Sequence, residues 1–185
     1  MLLSKAGFRF EVQAAGVEET VFDGEHPIVA TCRIADEKAA AVVRTCTAER
    51  VVLAADTSVI CGGRMFGKPV SIQDACEQLE ALAGRNHRVV TAWTVRRSGR
   101  SAPDLSPQSA GGYSCSIVRL RELDRKQIRA YVALGESGDK AGAYALQGAG
   151  GDLVGAVVGP EDNVVGLPMA QVVPILGRFG VSPCR

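Results

Sequence analysis

The sequence has few histidines, no paired cysteines of the kind that bind zinc, and no long run of one charge. It contains two histidines and six cysteines in 185 residues, and no two cysteines form a C-x-x-C pair. A zinc site therefore has little support, and we expect reduced thiols that are mostly packed in the interior. The 21 basic and 20 acidic residues nearly cancel, and no long basic run occurs. We therefore expect no nucleic-acid polymer as a partner.

Long apolar stretches are also missing. No uninterrupted one approaches the roughly 20 residues that cross a bilayer, and the apolar stretch near Met1 is too short for a signal peptide. We therefore expect no membrane partner and a cytoplasmic location. The motifs G-x-x-x-x-G-K-[ST] and G-x-S-x-G do not occur, and the glycine-rich run at 148–151 lacks the last glycine of a dinucleotide-binding loop.

What the sequence does contain is an alternation of strand and helix patterns. An apolar run at 51–55 stops at Asp56, which predicts a buried strand with a carboxylate at its carboxyl end. Further strands are predicted over 87–95, 113–120 and 153–158, helices over 71–83 and 125–134 and from about 168, a loop over 98–112 and a turn over 160–163. The alternation predicts an α/β or α+β fold with a mixed sheet. Length and 46% hydrophobic content fit one domain over 1–185, with room for two lobes around a central cleft.

Polar side chains interrupt these elements at three places. Asp56 and Thr57 follow the first strand pattern, where a carboxylate can ligate a divalent cation or orient a water, or can simply cap a turn. Lys68 lies between a glycine and a proline, which suits a lysine that neutralises phosphate, although an exposed surface lysine is the alternative. Residues 139–148 combine small residues with an acid, a base, an aromatic and a carboxamide, as expected of a site for a small polar molecule.

Two further charged residues are candidates for the same site. Glu19 supplies a second carboxylate that can share a metal with Asp56, and the alternative is a solvated pair with Glu18. Lys38 lies in a helical pattern over 34–39, where the alternative is again a solvated surface position.

Taken in order, these clusters resemble the Maf family of nucleoside triphosphate pyrophosphatases. The resemblance covers about residues 5–177 and depends on several short motifs in the right order. They are Val17-Glu18-Glu19, Ile34-Ala35-x-x-Lys38-Ala39, Ala55-Asp56-Thr57, Gly67-Lys68-Pro69, Leu82-Ala83-Gly84-x-x-His87-x-Val89-x-Thr91, Tyr131, Gly135-Glu136, the segment from Asp139-Lys140 to Gln147-Gly148, and Asn163-Val164-Val165-Gly166-Leu167-Pro168.

The resemblance implies an α/β fold of the Maf/Ham1 (inosine triphosphatase-like) type, with a mixed twisted sheet and flanking helices. It implies hydrolysis of a nucleoside triphosphate to the monophosphate and pyrophosphate with Mg²⁺ or Mn²⁺, by a protein that can form a homodimer. The run Lys-Ala-Gly-Ala-Tyr with a following Gln-Gly resembles the branch acting on dTTP and UTP. By resemblance, Asp56 is the proton acceptor and a metal ligand with Glu19. The same resemblance implies that the residues that contact the substrate are Thr57, Lys38, Lys68, Lys140 and Gln147.

The chain departs from the family pattern at its start. Family members usually begin with a strand and a loop of the form Leu-Ala-Ser-x-Ser-Pro-Arg-Arg before the helix that is predicted here at residues 2–6. We therefore expect that strand and the serine and arginine loop to be absent. The missing loop favours one alternative, a Maf-like protein that binds a nucleotide or regulates with weakened catalysis. A second, separate alternative is a related enzyme that acts on a modified purine triphosphate.

Overall fold

Helices and strands alternate in the computed structural model, which describes residues 1–99 and 108–184. The helices are α1 (Leu2–Lys5), α2 (Pro27–Thr45), α3 (Ile72–Leu82), α4 (Arg125–Val132), α5 (Glu161–Val165) and α6 (Met169–Arg178). The strands are β1 (Val51–Cys61), β2 (Arg64–Phe66), β3 (Asn86–Arg97), β4 (Ser109–Leu120) and β5 (Val154–Val158). The predicted α/β fold, with helices flanking one sheet, is confirmed.

The strands form one sheet in the order β2-β1-β3-β4-β5. Both edge strands pair antiparallel, β2 with β1 and β5 with β4. At the start of β1 the carbonyl of Arg50 accepts a 2.9 Å hydrogen bond from the amide of Ser98, which follows β3, and Arg97 donates to the carbonyl of Gln108 just before β4. These contacts make the central pairings antiparallel too. The described part of the sheet is therefore antiparallel, without the parallel pairing that a mixed sheet implies.

Two helix starts follow the capping chemistry of the sequence. Ser71 caps α3, because its Oγ accepts a 3.0 Å hydrogen bond from the amide of Asp74. Asp124 and Gln127 form a complete capping box at α4, with both reciprocal bonds at 2.8 Å. The helices predicted at both places are thus confirmed within two residues of their ends.

Three local predictions were wrong. Strand β1 continues to Cys61, so Asp56 lies inside the strand, because buried Val59 and Ile60 extend the strand beyond its polar centre. The turn predicted at 160–163 overlaps α5, whose first turn carries two acidic residues that suit a helix N-terminus. Residues 109–112 of the predicted loop belong to β4. An added Cβ at Gly112 would lie 2.9 Å from the Trp93 ring, so this glycine serves close packing in a strand. Residues 100–107 lie outside the described part of the chain.

The described residues divide into two compact units. Unit 1 comprises residues 1–56, 91–99, 108–114 and 166–184, and unit 2 comprises residues 57–90 and 115–165. In unit 1, Trp93 packs in a core with Phe8, Leu176 and Phe179, and its indole N–H donates a 3.0 Å hydrogen bond to Gln171. The ring packs against apolar side chains and the N–H has a hydrogen-bond acceptor, so this tryptophan is well suited to a buried position.

Unit 2 has a separate core. Its largest fully buried members include Leu79, Leu82, Leu120 and Ile128, which come from α3, the end of β4 and α4. Across residues 1–99 and 108–184, we find no helix with the length and apolar character needed to cross a membrane.

Candidate active site

Asp56 and Lys38 form a close ion pair in unit 1. Lys38 lies on α2, and its Nζ is 2.6 Å from Oδ1 of Asp56 on β1. The Asp56 side chain is 9% exposed and that of Lys38 is 16% exposed. Ala35 and Ala39 on the same helix are fully buried, so the helix packs close enough for the lysine to reach the strand. The alternative of a solvated surface position does not hold for Lys38.

Glu19 completes this cluster. The Lys38 ammonium is also 2.7 Å from Oε1 of Glu19, whose side chain is 37% exposed. One cation therefore holds two carboxylates, one nearly buried and one open to solvent. We call Glu19, Lys38 and Asp56 the carboxylate–lysine cluster.

The electrostatics of this cluster favour a charged lysine. Burial pulls the pKa of Lys38 down, but the hydrogen bonds that it donates to Asp56 and Glu19 more than offset burial and raise the pKa above its usual range. Lys38 therefore carries a fixed positive charge at neutral pH, directly beside the residue that the sequence predicts as the proton acceptor.

The donor set of the cluster fits a Mg²⁺ or Mn²⁺ ion. Glu19 and Asp56 converge on one point, as their shared contact with Lys38 shows. Hard divalent cations take carboxylate oxygens, and Mg²⁺ is commonly held by one or two carboxylates plus substrate phosphates. No group of three His, Cys, Asp or Glu side chains suited to a metal occurs in the described residues. An ion held by these two carboxylates would therefore take its remaining ligands from substrate phosphates or water.

An open cavity of about 1230 Å³ extends from this cluster within unit 1. Glu19 and Lys38 line it, and so do the five consecutive strand residues 51–55. Because neighbouring side chains of a strand point to opposite faces, a cavity lined by all five runs along the edge of β1. Strand β2 pairs with the last residues of β1, from Val59 to Cys61. The strand residues that line the cavity run up to Ala55, the residue before Asp56.

Unit 2 holds two other predicted residues, Lys68 and Lys140, in a second cluster. Lys140 contacts Asp139, with 2.6 Å between Nζ and Oδ1. The hydrogen bond from Lys140 lowers the pKa of Asp139, and the charge of Lys68 adds to the same shift. The amide of Gly142 donates a 3.2 Å hydrogen bond to the carbonyl of Gly67. The backbone next to Lys68 is thereby tied to the segment that carries Lys140.

The remaining two predicted residues also lie in unit 2. Thr57 is half-buried in β1, directly after Asp56. Gln147 is exposed and precedes a 3₁₀ turn over Gly148–Leu153. The structure therefore brings Glu19, Lys38 and Asp56 together in unit 1, and Lys68 and Lys140 together in unit 2.

Sequence reasoning missed one member of the second cluster. Asp139 was part of the quoted motif but was not assigned a role, although its neighbour Lys140 was. The available indication is an adjacent pair of opposite charges in a segment of small residues.

The comparisons with known proteins identify the family. The model of the family described as "Maf-like protein" matches residues 1–179, and the chain belongs to that family. A dTTP/UTP pyrophosphatase of Anaeromyxobacter dehalogenans (strain 2CP-1 / ATCC BAA-258) is 42% identical over 179 residues, which are 97% of this chain and 88% of the relative. Proteins with the same name from Moorella thermoacetica (strain ATCC 39073 / JCM 9320) and Syntrophomonas wolfei subsp. wolfei (strain DSM 2245B / Goettingen) are 40% and 37% identical. They match 98% and 100% of this chain, and 90% and 94% of their own lengths.

Proposed function

We propose that this chain hydrolyses a pyrimidine nucleoside triphosphate, dTTP or UTP, to the monophosphate and pyrophosphate. The names of the relatives support the substrate class, because the match extends over nearly the whole chain. The structural observation that carries the proposal is the carboxylate–lysine cluster, in which a nearly buried aspartate is held beside a fixed positive charge, and Glu19 and Lys38 of the cluster line an open cavity.

Asp56 acts in this proposal as the general base. A water attacks the α-phosphorus, its proton passes to the Asp56 carboxylate, and the bond from the α-phosphorus to the bridging oxygen breaks to release pyrophosphate. Base catalysis of this kind contributes about 10²–10⁴-fold in rate. Lys38 orients the carboxylate through the 2.6 Å contact and keeps a positive charge close to the reacting phosphate.

The phosphates require more positive charge than one lysine supplies. Lys68 and Lys140 provide it in the proposal, since phosphoryl transfer depends mainly on positioning and on neutralising charge that develops on oxygens. Glu19 and Asp56 would hold Mg²⁺ or Mn²⁺, which would neutralise further phosphate charge when bound.

Thr57 and Gln147 are the proposed contacts to the nucleotide that select the substrate. A carboxamide both donates and accepts hydrogen bonds, which matches the mixed donors and acceptors on the edge of uracil or thymine. We further propose that the protein works in the cytoplasm and forms a homodimer, and size-exclusion chromatography with light scattering tests the second point.

A nucleotide panel tests the function directly. Purified protein is incubated with dTTP, UTP, CTP, dATP, GTP and 7-methyl-GTP, with Mg²⁺, with Mn²⁺ and with a chelator, and the products are separated by anion exchange. We expect monophosphate and pyrophosphate from dTTP and UTP, and loss of turnover with the chelator. Diphosphate and orthophosphate as products, or a preference for purines, would contradict the proposal. Calorimetric binding of dTTP without turnover would identify a nucleotide-binding protein instead.

A further inference from the structure

A buried hydrogen bond in unit 2 joins two residues to which no role has been assigned. His87 Nε2 lies 2.7 Å from the hydroxyl of Tyr144, and the rings meet edge to face with centroids 5.5 Å apart. The two residues are 3% and 5% exposed. They are 57 positions apart in the sequence, so the contact fixes the segment around Tyr144 to strand β3.

The backbone just before Tyr144 is unusual. Gly142 has φ of +72° and Ala143 has φ of +59°, and Ala143 is the one non-glycine residue with positive φ in the described chain. Left-handed backbone at a non-glycine residue persists where the surroundings impose it, and such residues concentrate at functional sites. Here Ala143 is fully buried, and Tyr144 is anchored directly after it.

The anchored segment carries the second charged cluster. Lys140 lies four residues before Tyr144 and Gln147 three residues after it. The amide of Gly142 bonds to the carbonyl of Gly67, next to Lys68. After the anchor, the amide of Ala145 donates a 3.2 Å hydrogen bond to the hydroxyl of Tyr131. The Tyr144 anchor thus stands in the middle of the proposed substrate-binding residues of unit 2.

We propose that His87 is a positioning residue for substrate binding: through Tyr144 it holds the segment 140–147 in the bent form that presents Lys140 and Gln147. This inference builds on the proposed function and adds residues that would not touch the substrate. A hydrogen bond suits the role, because it fixes the direction of the tyrosine ring as well as its burial.

Three variants and one control separate positioning from stability. Tyr144→Phe removes only the hydroxyl, His87→Leu removes its partner, and His87→Gln keeps a side chain that can donate and accept a hydrogen bond. The control is Ile128→Val, which thins the same core at a fully buried position on α4, outside the segment 140–147. Each protein is measured for melting temperature, for kcat and KM with dTTP, and for amide hydrogen exchange over 140–150.

We expect Tyr144→Phe and His87→Leu to raise KM about tenfold, the effect of losing one substrate hydrogen bond, while kcat changes less. Exchange over 140–150 should accelerate in both, and His87→Gln should lie nearer the wild type. Ile128→Val should lower the melting temperature and leave KM and this exchange unchanged. An unchanged KM in the first two variants, or an equal rise in the control, would overturn the proposal.

The exchange measurement does not require turnover. If the wild type fails to hydrolyse dTTP and UTP, the proposed function is wrong. Acceleration over 140–150 in Tyr144→Phe but not in Ile128→Val would then still support positioning of the segment, and equal exchange in the two would refute it.

Discussion

The ammonium group of Lys38 lies between the carboxylates of Asp56 and Glu19, 2.6 Å from the first and 2.7 Å from the second. A helix, a strand and the segment before α2 thus contribute one side chain each to a single charged contact. The arrangement yields distinct expectations for each member.

Asp56→Asn should abolish turnover and preserve the fold. The amide has the size of the carboxylate but cannot accept the proton from water, so we expect a loss of at least about 10²-fold in kcat. Pyrophosphate release measures the effect. Asp36→Asn is the matched control, because Asp36 pairs with Arg96 on the same unit and is 46% exposed. Comparable pyrophosphate release by Asp56→Asn and the wild type would remove Asp56 as the base.

Lys38→Met should lower the stability of the protein as well as its hydrolytic activity. Methionine keeps most of the apolar stem, but the nearly buried Asp56 loses the cation that compensates its charge. Breaking such a pair costs about 3–5 kcal/mol when it is fully buried, and we expect about 1–3 kcal/mol here because Glu19 is partly exposed. Urea unfolding at pH 7 gives the change. Lys5→Met, an exposed lysine in α1, should leave the midpoint in place, and equal midpoints for both variants would mean that the contact adds no stability.

Lowering the pH should reduce the stability of unit 2, because buried His87 resists protonation in the folded chain. Burial lowers the pKa of His87 to about 4, whereas an unfolded histidine titrates near 6.5. Between these values the unfolded chain binds a proton that the folded chain does not, so stability is full above about pH 6.5 and falls as the pH drops to about 4. The linked loss is up to about 3 kcal/mol.

Urea unfolding across this pH range tests the histidine assignment. In His87→Gln, the free energy of unfolding should change less with pH between about pH 4 and 6.5 than it does in the wild type. His26→Asn should retain the pH dependence of the wild type, because His26 is exposed at the start of α2 and asparagine is also a good cap. An unchanged pH dependence of the free energy of unfolding in His87→Gln would show that other titratable groups cause it.

Gln147→Ala should change which nucleotide is preferred more than which metal is preferred. The carboxamide is exposed and is the proposed contact to the pyrimidine edge, whereas the carboxylates that fit a metal lie elsewhere in the chain. The ratio of kcat/KM values for UTP, dTTP and CTP measures the effect. Gln73→Ala, on the exposed side of α3, serves as the control. An identical ranking in Gln147→Ala and the wild type would exclude base recognition by this residue.

Local chemistry made several elements predictable. The capping box at Asp124 and the cap at Ser71 depend on residues within three positions of each other, and both helices occur where they were expected. The end of β1 was not predictable in the same way. Asp56 and Thr57 look like a strand end, and only burial in the core keeps the strand extended through them.

Contacts between distant residues could not be read from periodicity. Lys38 and Asp56 are 18 positions apart and His87 and Tyr144 are 57 apart. The family resemblance named the first two as parts of one site, and it gave His87 and Tyr144 no assigned function. Their contact depends on how β3 packs against the 140–147 segment, which is a property of the folded chain.

Trp93 provides an intrinsic fluorescence probe of unit 1. It is the sole tryptophan of the sequence, and it belongs to the core of unit 1. Its emission should therefore shift when that core opens and water reaches the indole ring. Excitation at the red edge, where tyrosine does not absorb, would follow the loss of unit 1 alone, and far-ultraviolet dichroism would follow the whole backbone. A difference between the two transitions would show that the chain comes apart in stages.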